Sequence, residues 1–317
     1  MTLAGALLPR HTPRLPAAQN RLLVVEAGTQ LLLKCHWQSR PVECPTLVLV
    51  HGLEGSSESS NIRGLAEKGF VSGCNVLRVN QRNCGGTEHL TPTLYNSGLS
   101  GDFLSILRAL IEQDGLPEIF FAGYSMGGNL ILKMAGELGT QAPAELRGVC
   151  AVCPVLDLAA CADALDAPGN VFYQRHFVRS LKARMRRKVR LFPKRFRLDG
   201  LHRVRTVREF DDLMTAPYCG YRGAADYYHK ASAARVVDRI AVPTLILTAQ
   251  DDPFVPFASF ALHGIAGNHS ITLVAPEWGG HCTFISRYAG WERYWGEARV
   301  VEFCLEHARL LGHGLAP

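Results

Sequence analysis

Short apolar runs recur along the first half of the chain and return near its end, each bounded by glycine, proline or polar residues. Such runs are typical of strands that are buried on both faces of a parallel sheet. They predict strands at 31–37, 46–50, 75–80, 118–121, 149–153, 242–248 and 270–274. Helical patterns lie between them, as at 61–68, where Gly69 should end the helix, and from about 100 to 115. We therefore predict an α/β fold with a mostly parallel central sheet covered by helices on both faces.

The alternation stops between 155 and 236, where helical patterns and aromatic clusters occur without a strand-like run. A helical insertion at this point should cover the carboxyl edge of the sheet, where ligands of open α/β sheets bind. We predict a core of residues 22–154 and 237–317, with a helical cap or lid at 155–236. Residues 1–21 should form an irregular, proline-containing arm, and a helix at roughly 291–311 should close the chain.

Composition narrows the class of protein. With 317 residues, of which 47% are hydrophobic, the chain is long and apolar enough for a packed core. Its ten cysteines show no pairing pattern. We expect neither a signal peptide nor a transmembrane helix. We therefore predict a cytoplasmic protein whose cysteines are reduced thiols. Cys150 and Cys153 lie in a predicted buried strand without a second C-x-x-C, so we expect no metal and no cofactor.

One stretch joins a predicted strand end to a predicted helix start through Gly123-Tyr124-Ser125-Met126-Gly127. A bare Gly-x-Ser-x-Gly match also arises by chance, as an ordinary glycine-rich turn. Between a buried strand and a helix, however, such a turn holds its serine in a strained conformation with the hydroxyl exposed. We therefore interpret Ser125 as a nucleophile.

Candidate partners for this serine follow two later strands. Asp251 and Asp252 come directly after 242–248, and His281 lies in a glycine-flanked loop after 270–274. Ser, then Asp, then His is the chain order of the triad in hydrolases with a Gly-x-Ser-x-Gly turn. Neutral histidine takes the serine proton, and a carboxylate on its other ring nitrogen fixes the tautomer. We prefer Asp252 as the acid and expect Asp251 to order the turn; Asp157 is a less favoured alternative.

The oxyanion of an ester hydrolase is bound by backbone N–H groups in two places. One is the residue after the nucleophile, here Met126. The other lies in the glycine-rich loop His51-Gly52-Leu53-Glu54-Gly55, which follows the strand at 46–50, and we assign it to Leu53. His51 is expected to order its own turn, because this loop acts through its backbone.

Five stretches together resemble the YheT-like branch of the α/β-hydrolase superfamily. They are His51 to Ser57, Gly123 to Asn129, Arg208-Glu209-Phe210-Asp211-Asp212, Asp251-Asp252-Pro253-Phe254 and Gly280-His281. The resemblance covers roughly 22 to 305 and implies an α/β-hydrolase fold with Ser125, Asp252 and His281 as its triad. Relatives include medium-chain alcohol acyltransferases and phospholipid lipases. The loop Asn83-Cys84-Gly85-Gly86 departs from the pattern and leaves the shape of the pocket open.

From these inferences we expect a serine carboxylic-ester hydrolase that acts on acyl esters or lipids through an acyl-enzyme. Two alternatives stay open. The same acyl-enzyme can transfer its acyl group to an alcohol, and a protein of this fold can dock on membranes or polyanions without catalysis.

The basic charge of the chain is concentrated in the predicted cap. Residues 179–208 hold 13 Lys or Arg and one acidic residue, whereas the rest of the chain is net acidic. An apolar stripe at helical spacing, with basic residues between its members, predicts a basic amphipathic helix. The stripe is Phe177, Leu181, Met185, Val189 and Phe192, and the basic residues are Lys182, Arg184, Arg186, Arg187 and Arg190. Two interpretations of these basic residues stay open: they form a solvated face, or they contact an anionic membrane or an acidic substrate. Nucleic-acid binding is not expected, because no recognition motif is present.

Overall fold

The computed structural model describes residues 12–262, 264–286 and 292–310. Within these residues, eight strands form one sheet in the order β1-β2-β4-β3-β5-β6-β7-β8. The strands are β1 (Gln19–Glu26), β2 (Thr29–His36), β3 (Thr46–Val50), β4 (Asn75–Asn80), β5 (Ile119–Tyr124), β6 (Leu146–Val152), β7 (Thr244–Leu247) and β8 (Ile271–Val274). β1 and β2 are antiparallel to their neighbours. From β4 to β8 every pair is parallel, so the predicted sheet is confirmed.

Helices cover both faces of this sheet. They are α1 (Ser60–Val71), α2 (Ser100–Glu112), α3 (Met126–Leu138), α4 (Leu158–Asp166), α5 (Val171–Leu191), α6 (Val207–Phe210), α7 (Ala216–Tyr218), α8 (Ala224–Ala231), α9 (Ala258–Leu262) and α10 (Trp295–His307). Side chains of β3 alternate between two cores: Val48 and Val50 pack with α2 and α3, and Leu47 and Leu49 pack with α1 and α10. A strand buried on both faces explains why its sequence is apolar throughout.

β1 was not predicted from the sequence, and it begins at Gln19, inside the stretch 1–21 that was expected to be an irregular arm. Residues 12–18 lie outside any strand or helix, and residues 1–11 lie outside the described part of the chain. In β1, Leu22 and Val24 are 52% and 60% exposed, whereas Leu23 between them is buried. The strand is therefore half-buried, but its apolar residues are consecutive, so the sequence lacks the apolar–polar alternation that indicates such a strand.

α1 continues through Gly69, so the prediction that this glycine ends the helix is wrong. A Cβ at Gly69 would lie 3.0 Å from a methyl carbon of Leu47. The glycine therefore serves close packing of α1 on the sheet. The chain leaves the helix at Gly73, whose φ of 90° favours glycine.

The residues between β6 and β7 form helices and turns, without a strand. They build two apolar clusters of their own, one around α5 and α6 and one around α4 and α8. We propose that residues 155–236 form a cap, and we use this name for them below.

α10 spans Trp295–His307, and both predicted ends of the closing helix, 291 and 311, lie outside the described residues. In the described part of the chain, no helix has the length and apolar character to cross a membrane.

Candidate active site

Ser125 lies on the turn between β5 and α3, and its backbone has φ 53° and ψ −116°. Such sparsely populated conformations cost about 1–3 kcal/mol and are common at functional sites. The flanking glycines are required by space. A Cβ at Gly123 would lie 2.4 Å from the carbonyl oxygen of Gly127, and a Cβ at Gly127 would lie 2.5 Å from that of Val50. The turn therefore presents Ser125 at the carboxyl edge of the sheet.

The loop after β3 packs against this serine. A Cβ added to Gly52 would lie 3.1 Å from Cβ of Ser125. Leu53 and Met126 line the same pocket as Ser125. This placement is compatible with backbone N–H groups from both residues facing a substrate oxygen, and their role as oxyanion donors stays a prediction.

His51 is buried and orders its own loop, as predicted. Its Nδ1 lies 2.8 Å from the carbonyl oxygen of Gly52, and its Nε2 accepts the N–H of Gln81 at 3.2 Å. Burial lowers the pKa of His51 to about 4. The ring is therefore neutral at physiological pH and already occupied by structural hydrogen bonds.

Asp252 and His281 form a hydrogen-bonded pair at the same edge of the sheet. The distance from His281 Nδ1 to Asp252 Oδ2 is 2.8 Å, and the side chain of Asp252 is fully buried. The other carboxylate oxygen accepts the N–H groups of Phe254 and Val255 at 3.1 and 3.0 Å. The Phe254 ring packs on the imidazole with 4.2 Å between centroids. These contacts fix the carboxylate and the plane of the imidazole, which a general base requires.

One carbonyl group connects the histidine loop to Ser125. The carbonyl oxygen of Val152, the last residue of β6, accepts the N–H of Ser125 at 2.8 Å and lies 3.6 Å from Sγ of Cys282. Because Cys282 follows His281 in the chain, these two contacts of one carbonyl group bring the imidazole and the serine to one corner of the sheet.

The other two candidate acids hold backbone groups. Asp251 was expected to order its own turn, but it accepts the N–H groups of Gly279 and Gly280 at 2.8 and 2.7 Å and so orders the loop that carries His281. Asp157 accepts two N–H groups in the first turn of α4, at 3.0 and 3.1 Å. The geometry therefore favours Asp252 as the acid paired with His281.

Two cysteines lie beside His281. The potential ligand atoms of Cys153, His281 and Cys282 all lie within 4.8 Å of one another, and the N–H of Cys282 donates to Sγ of Cys153 at 3.2 Å. Two thiols and an imidazole are a donor set that zinc accepts. The cluster is thus the place in the described chain where a metal would find ligands, although the sequence predicts no metal.

The thiols also influence the base. Burial lowers the pKa of His281, but the negative charges of Cys282 and Asp252 overcome it and raise that pKa. Burial raises the pKa of Cys282, but the hydrogen bond with Cys153 and the charge of His281 overcome it and lower that pKa. The proton affinity of the candidate base therefore depends on a residue outside the triad.

A pocket lies in front of Ser125, between the sheet edge and the cap. It contains about 940 Å³ of empty space, counting its open mouth. Most of its wall is apolar. The apolar residues include Leu53, Leu94, Met126, Val155, Leu158, Leu165, Phe177, Leu181, Met185, Val207, Phe210 and Phe254. The lining is that of a site for an apolar ligand.

Arg184 is a site residue whose place was wrongly predicted from the sequence. It is buried, with its Nε 2.9 Å from Oε1 of Glu54. The hydroxyl of Tyr95 donates to the same oxygen at 2.6 Å, and the guanidinium lies 4.9 Å from the Tyr95 ring centroid. Because Glu54 follows Leu53, the ion pair ties the predicted oxyanion loop to α5.

The predicted amphipathic helix is confirmed as α5 (Val171–Leu191), but its basic face is smaller than the sequence indicates. Lys188 is fully buried, and its Nζ donates to the carbonyl oxygens of Glu88 and Thr91. Arg187 is paired with the carboxylate of Glu88 at 2.7 Å. Arg186 and Arg190 remain exposed. These contacts bind part of the charge to the loop after β4.

A sheet of this topology, with its candidate nucleophile after β5 and its candidate acid and base after β7 and β8, is built as an α/β-hydrolase. A sequence profile of the alpha/beta hydrolase fold matches residues 45–288. YheT of Escherichia coli (strain K12), provisionally named an esterase, is 33% identical over 277 residues, which are 84% of this chain and 79% of YheT. The chain belongs to the YheT-like branch of the α/β-hydrolase family, as the sequence resemblance indicates.

Other known proteins extend this comparison. Phospholipase ABHD3 of Mus musculus is 28% identical over 242 residues, which are 76% of this chain and 58% of ABHD3. The chain therefore spans a little over half the length of that relative. The solved structure of Est1E from Butyrivibrio proteoclasticus has a TM-score of 0.58 at 18% identity and covers 91% of this chain and 98% of Est1E. At this identity the likeness concerns the fold alone.

Proposed function

We propose that this protein is a serine hydrolase of carboxylic esters that works through an acyl-enzyme. Ser125 is the nucleophile, His281 the general base and Asp252 the acid that orients it. The observation that carries the proposal is the 2.8 Å contact between His281 and a fully buried Asp252, on the sheet edge where a strained Ser125 lines an apolar pocket.

The reaction has two halves. Nε2 of His281 takes the proton of the Ser125 hydroxyl as its oxygen attacks the ester carbonyl, and the N–H groups of Leu53 and Met126 bind the resulting oxyanion. The imidazolium then protonates the leaving alcohol. Water, activated by the same imidazole, attacks the acyl-enzyme and releases the carboxylic acid. An alcohol in place of that water gives acyl transfer, the alternative that product analysis distinguishes.

Support comes from relatives as well as from geometry. At the level of class, the prediction of a hydrolase acting on ester bonds is confirmed, because the relatives are named an esterase and a phospholipase. For the substrate we infer an acyl ester with an apolar chain, since apolar side chains make up most of the pocket wall.

The test is hydrolysis of a p-nitrophenyl ester by wild type and by Ser125→Ala. Removal of the nucleophile should lower kcat by about 10⁴-fold or more. Ser105→Ala, on α2 away from the pocket, is the matched control and should keep wild-type kcat. Wild-type turnover in folded Ser125→Ala would refute the proposal.

We further propose that exposed basic residues at the end of α5 bring the enzyme to anionic lipid surfaces. Arg184, Arg187 and Lys188 are bound to other parts of the protein, so they are unsuited to docking. The exposed basic residues are Arg186, Arg190, Lys194 and Arg195, and Leu191 beside them is 47% exposed. Basic residues around an exposed apolar side chain fit a peripheral membrane contact.

The cytoplasm is the location that we propose. All ten cysteines carry free thiols, and seven of them are buried in the two cores that cover the faces of the sheet. Unpaired thiols are expected in a reducing compartment.

A further inference from the structure

The pocket in front of Ser125 has an apolar part and a polar part. Its apolar walls come from α4 and α5, through residues such as Leu158, Leu165, Phe177 and Leu181. Polar side chains line the same space, among them Asp211, Thr215 and Tyr228. A carboxylate in a pocket for an acyl chain calls for an explanation, because an uncompensated buried charge is unfavourable.

Asp211 is only 9% exposed. Its Oδ2 accepts the hydroxyl of Tyr228 at 2.8 Å, and it forms no ion pair with a Lys or Arg among the described residues. Arg208 lies near, but its guanidinium is bonded to Asp163 and Asp166. Burial raises the pKa of Asp211 to about 6, although hydrogen bonds from Thr215 and Tyr228 oppose the rise. Perturbed carboxyl groups in a cleft are candidates for ligand contact.

The backbone around Asp211 is specialised. Residues Asp211–Thr215 form a π turn between α6 and α7, and such insertions occur frequently at functional sites. Both ends of this turn line the pocket. The adjacent Asp212 is exposed and instead accepts the backbone N–H of Ala224 at 2.9 Å. Of two consecutive carboxylates, one is structural and the other faces the ligand space.

The chemistry of the surroundings favours a neutral hydroxyl over a cation as the group that Asp211 binds. The Arg208 guanidinium lies 5.5 Å from the Tyr228 ring centroid, and its charge already acts on Asp211. A substrate ammonium would meet that positive charge. A hydroxyl donates to the free lone pairs of the carboxylate without this repulsion.

We propose that Asp211, with Tyr228 and Thr215, binds a hydroxyl group on the alcohol part of the substrate. The acyl chain takes the apolar walls, so the polar side chains of the pocket are left for the alcohol part. The substrates are therefore esters of polyhydroxy alcohols of the glycerol type, and esters of simple alkyl alcohols are poorer. This inference rests on the proposed ester hydrolase function.

The experiment compares kcat/KM for 1-decanoylglycerol and ethyl decanoate, which share one acyl group. A hydrogen bond to a charged group changes affinity by about 10- to 100-fold, so the wild type should prefer the glycerol ester by this factor. Asp211→Ala should abolish the preference, because it should lower kcat/KM for 1-decanoylglycerol more than kcat/KM for ethyl decanoate. Tyr228→Phe, which keeps the ring, should reduce the preference in part. Asp212→Asn is the matched control and should keep it.

The ratio of kcat/KM for the two esters distinguishes loss of the hydroxyl subsite from a folding defect, which would lower both values equally. It also distinguishes failure of this inference from failure of the proposed function. Equal kcat/KM values in the wild type, or an equal loss on both substrates in Asp211→Ala and Tyr228→Phe, would overturn the hydroxyl subsite while leaving the ester hydrolase intact. Failure of the wild type to hydrolyse p-nitrophenyl esters would instead overturn the proposed function.

Discussion

The carboxyl edge of the sheet, which carries Ser125, Asp252 and His281, and helix α5 differ in how much of their structure can be predicted from sequence. At the edge, Ser125, Asp252 and His281 each lie in a turn or loop that follows a strand of the sheet, and Asp252 accepts the N–H groups of residues two and three positions further on. On α5, the buried Arg184 belongs to the same basic run as the exposed Arg186 and Arg190. The carboxylate partner of Arg184, Glu54, lies 130 residues away in the chain, and that of Arg187, Glu88, lies 99 residues away. Local turn chemistry is visible in a sequence, whereas the pairing of a charge with a distant loop is not.

The largest expected effect concerns the acid of the triad. Asp252→Asn should lower kcat by about 10⁴-fold, because an amide opposite Nδ1 of His281 holds the wrong tautomer. Asp251→Asn is the matched control, since the amide oxygen can still accept the N–H groups of Gly279 and Gly280. Steady-state kinetics at equal folded fraction decides between the two carboxylates. A larger loss of kcat in Asp251→Asn than in Asp252→Asn would show that Asp252 is not the acid of the triad.

Arg184 provides the next test, because it belongs to α5 by sequence and to the active site by contact. Arg184→Gln leaves Glu54 buried without its cation, and breaking a buried pair in this way typically costs about 3–5 kcal/mol. Urea denaturation should show this loss, and kcat should fall because the Leu53 loop loses its anchor.

Arg186→Gln is the matched control on the same helix and should change neither stability nor kcat. If Arg184→Gln behaved like Arg186→Gln, the two arginines would be equivalent and the contrast between the two regions would be wrong.

The exposed basic residues at the end of α5 and just after it can be tested separately. Replacing Arg186, Arg190, Lys194 and Arg195 by Gln should weaken binding to anionic vesicles and flatten its salt dependence, since each basic residue near an anionic leaflet contributes about 1 kcal/mol. Hydrolysis of a short soluble ester should be unchanged. A variant with equal charge loss elsewhere, at the exposed residues Arg40, Arg222, Arg235 and Arg239, is the control. Equal vesicle binding by all three proteins in co-sedimentation would exclude this docking face.

The smallest effect is expected at Cys282. The base acts when His281 is neutral, so activity should rise with pH through the raised pKa of His281. Burial acts against this rise in pKa, and Cys282 and Asp252 cause it. Cys282→Ser removes one of those negative charges, so the acidic limb of the kcat/KM profile should move to lower pH. Cys44→Ser, in the loop before β3, should leave the profile unchanged, and a shift to higher pH in Cys282→Ser would contradict the assigned cause.

The sequence predicts the parallel sheet and the order of the site because both depend on local patterns. Strands buried on both faces are apolar throughout, and the turn at Ser125 accepts only glycine at 123 and 127. β1 escaped prediction because its exposed Leu22 and Val24 are apolar like the buried Leu23, so the sequence does not alternate as a half-buried edge strand should.

The place of Asp211 also could not be predicted, although its motif was noticed through the family resemblance. Nothing in the sequence distinguishes Asp211 from Asp212. The distinction arises from the π turn and from Tyr228 on another helix, so it depends on tertiary packing.

The central claim is that Ser125 is the nucleophile, and covalent labelling tests it most directly. A fluorophosphonate probe should add one label per chain, and peptide mass spectrometry should place that label on Ser125. The label should be absent in Ser125→Ala and should form far more slowly in Asp252→Asn. A label on another residue, or an unlabelled folded protein, would contradict the account.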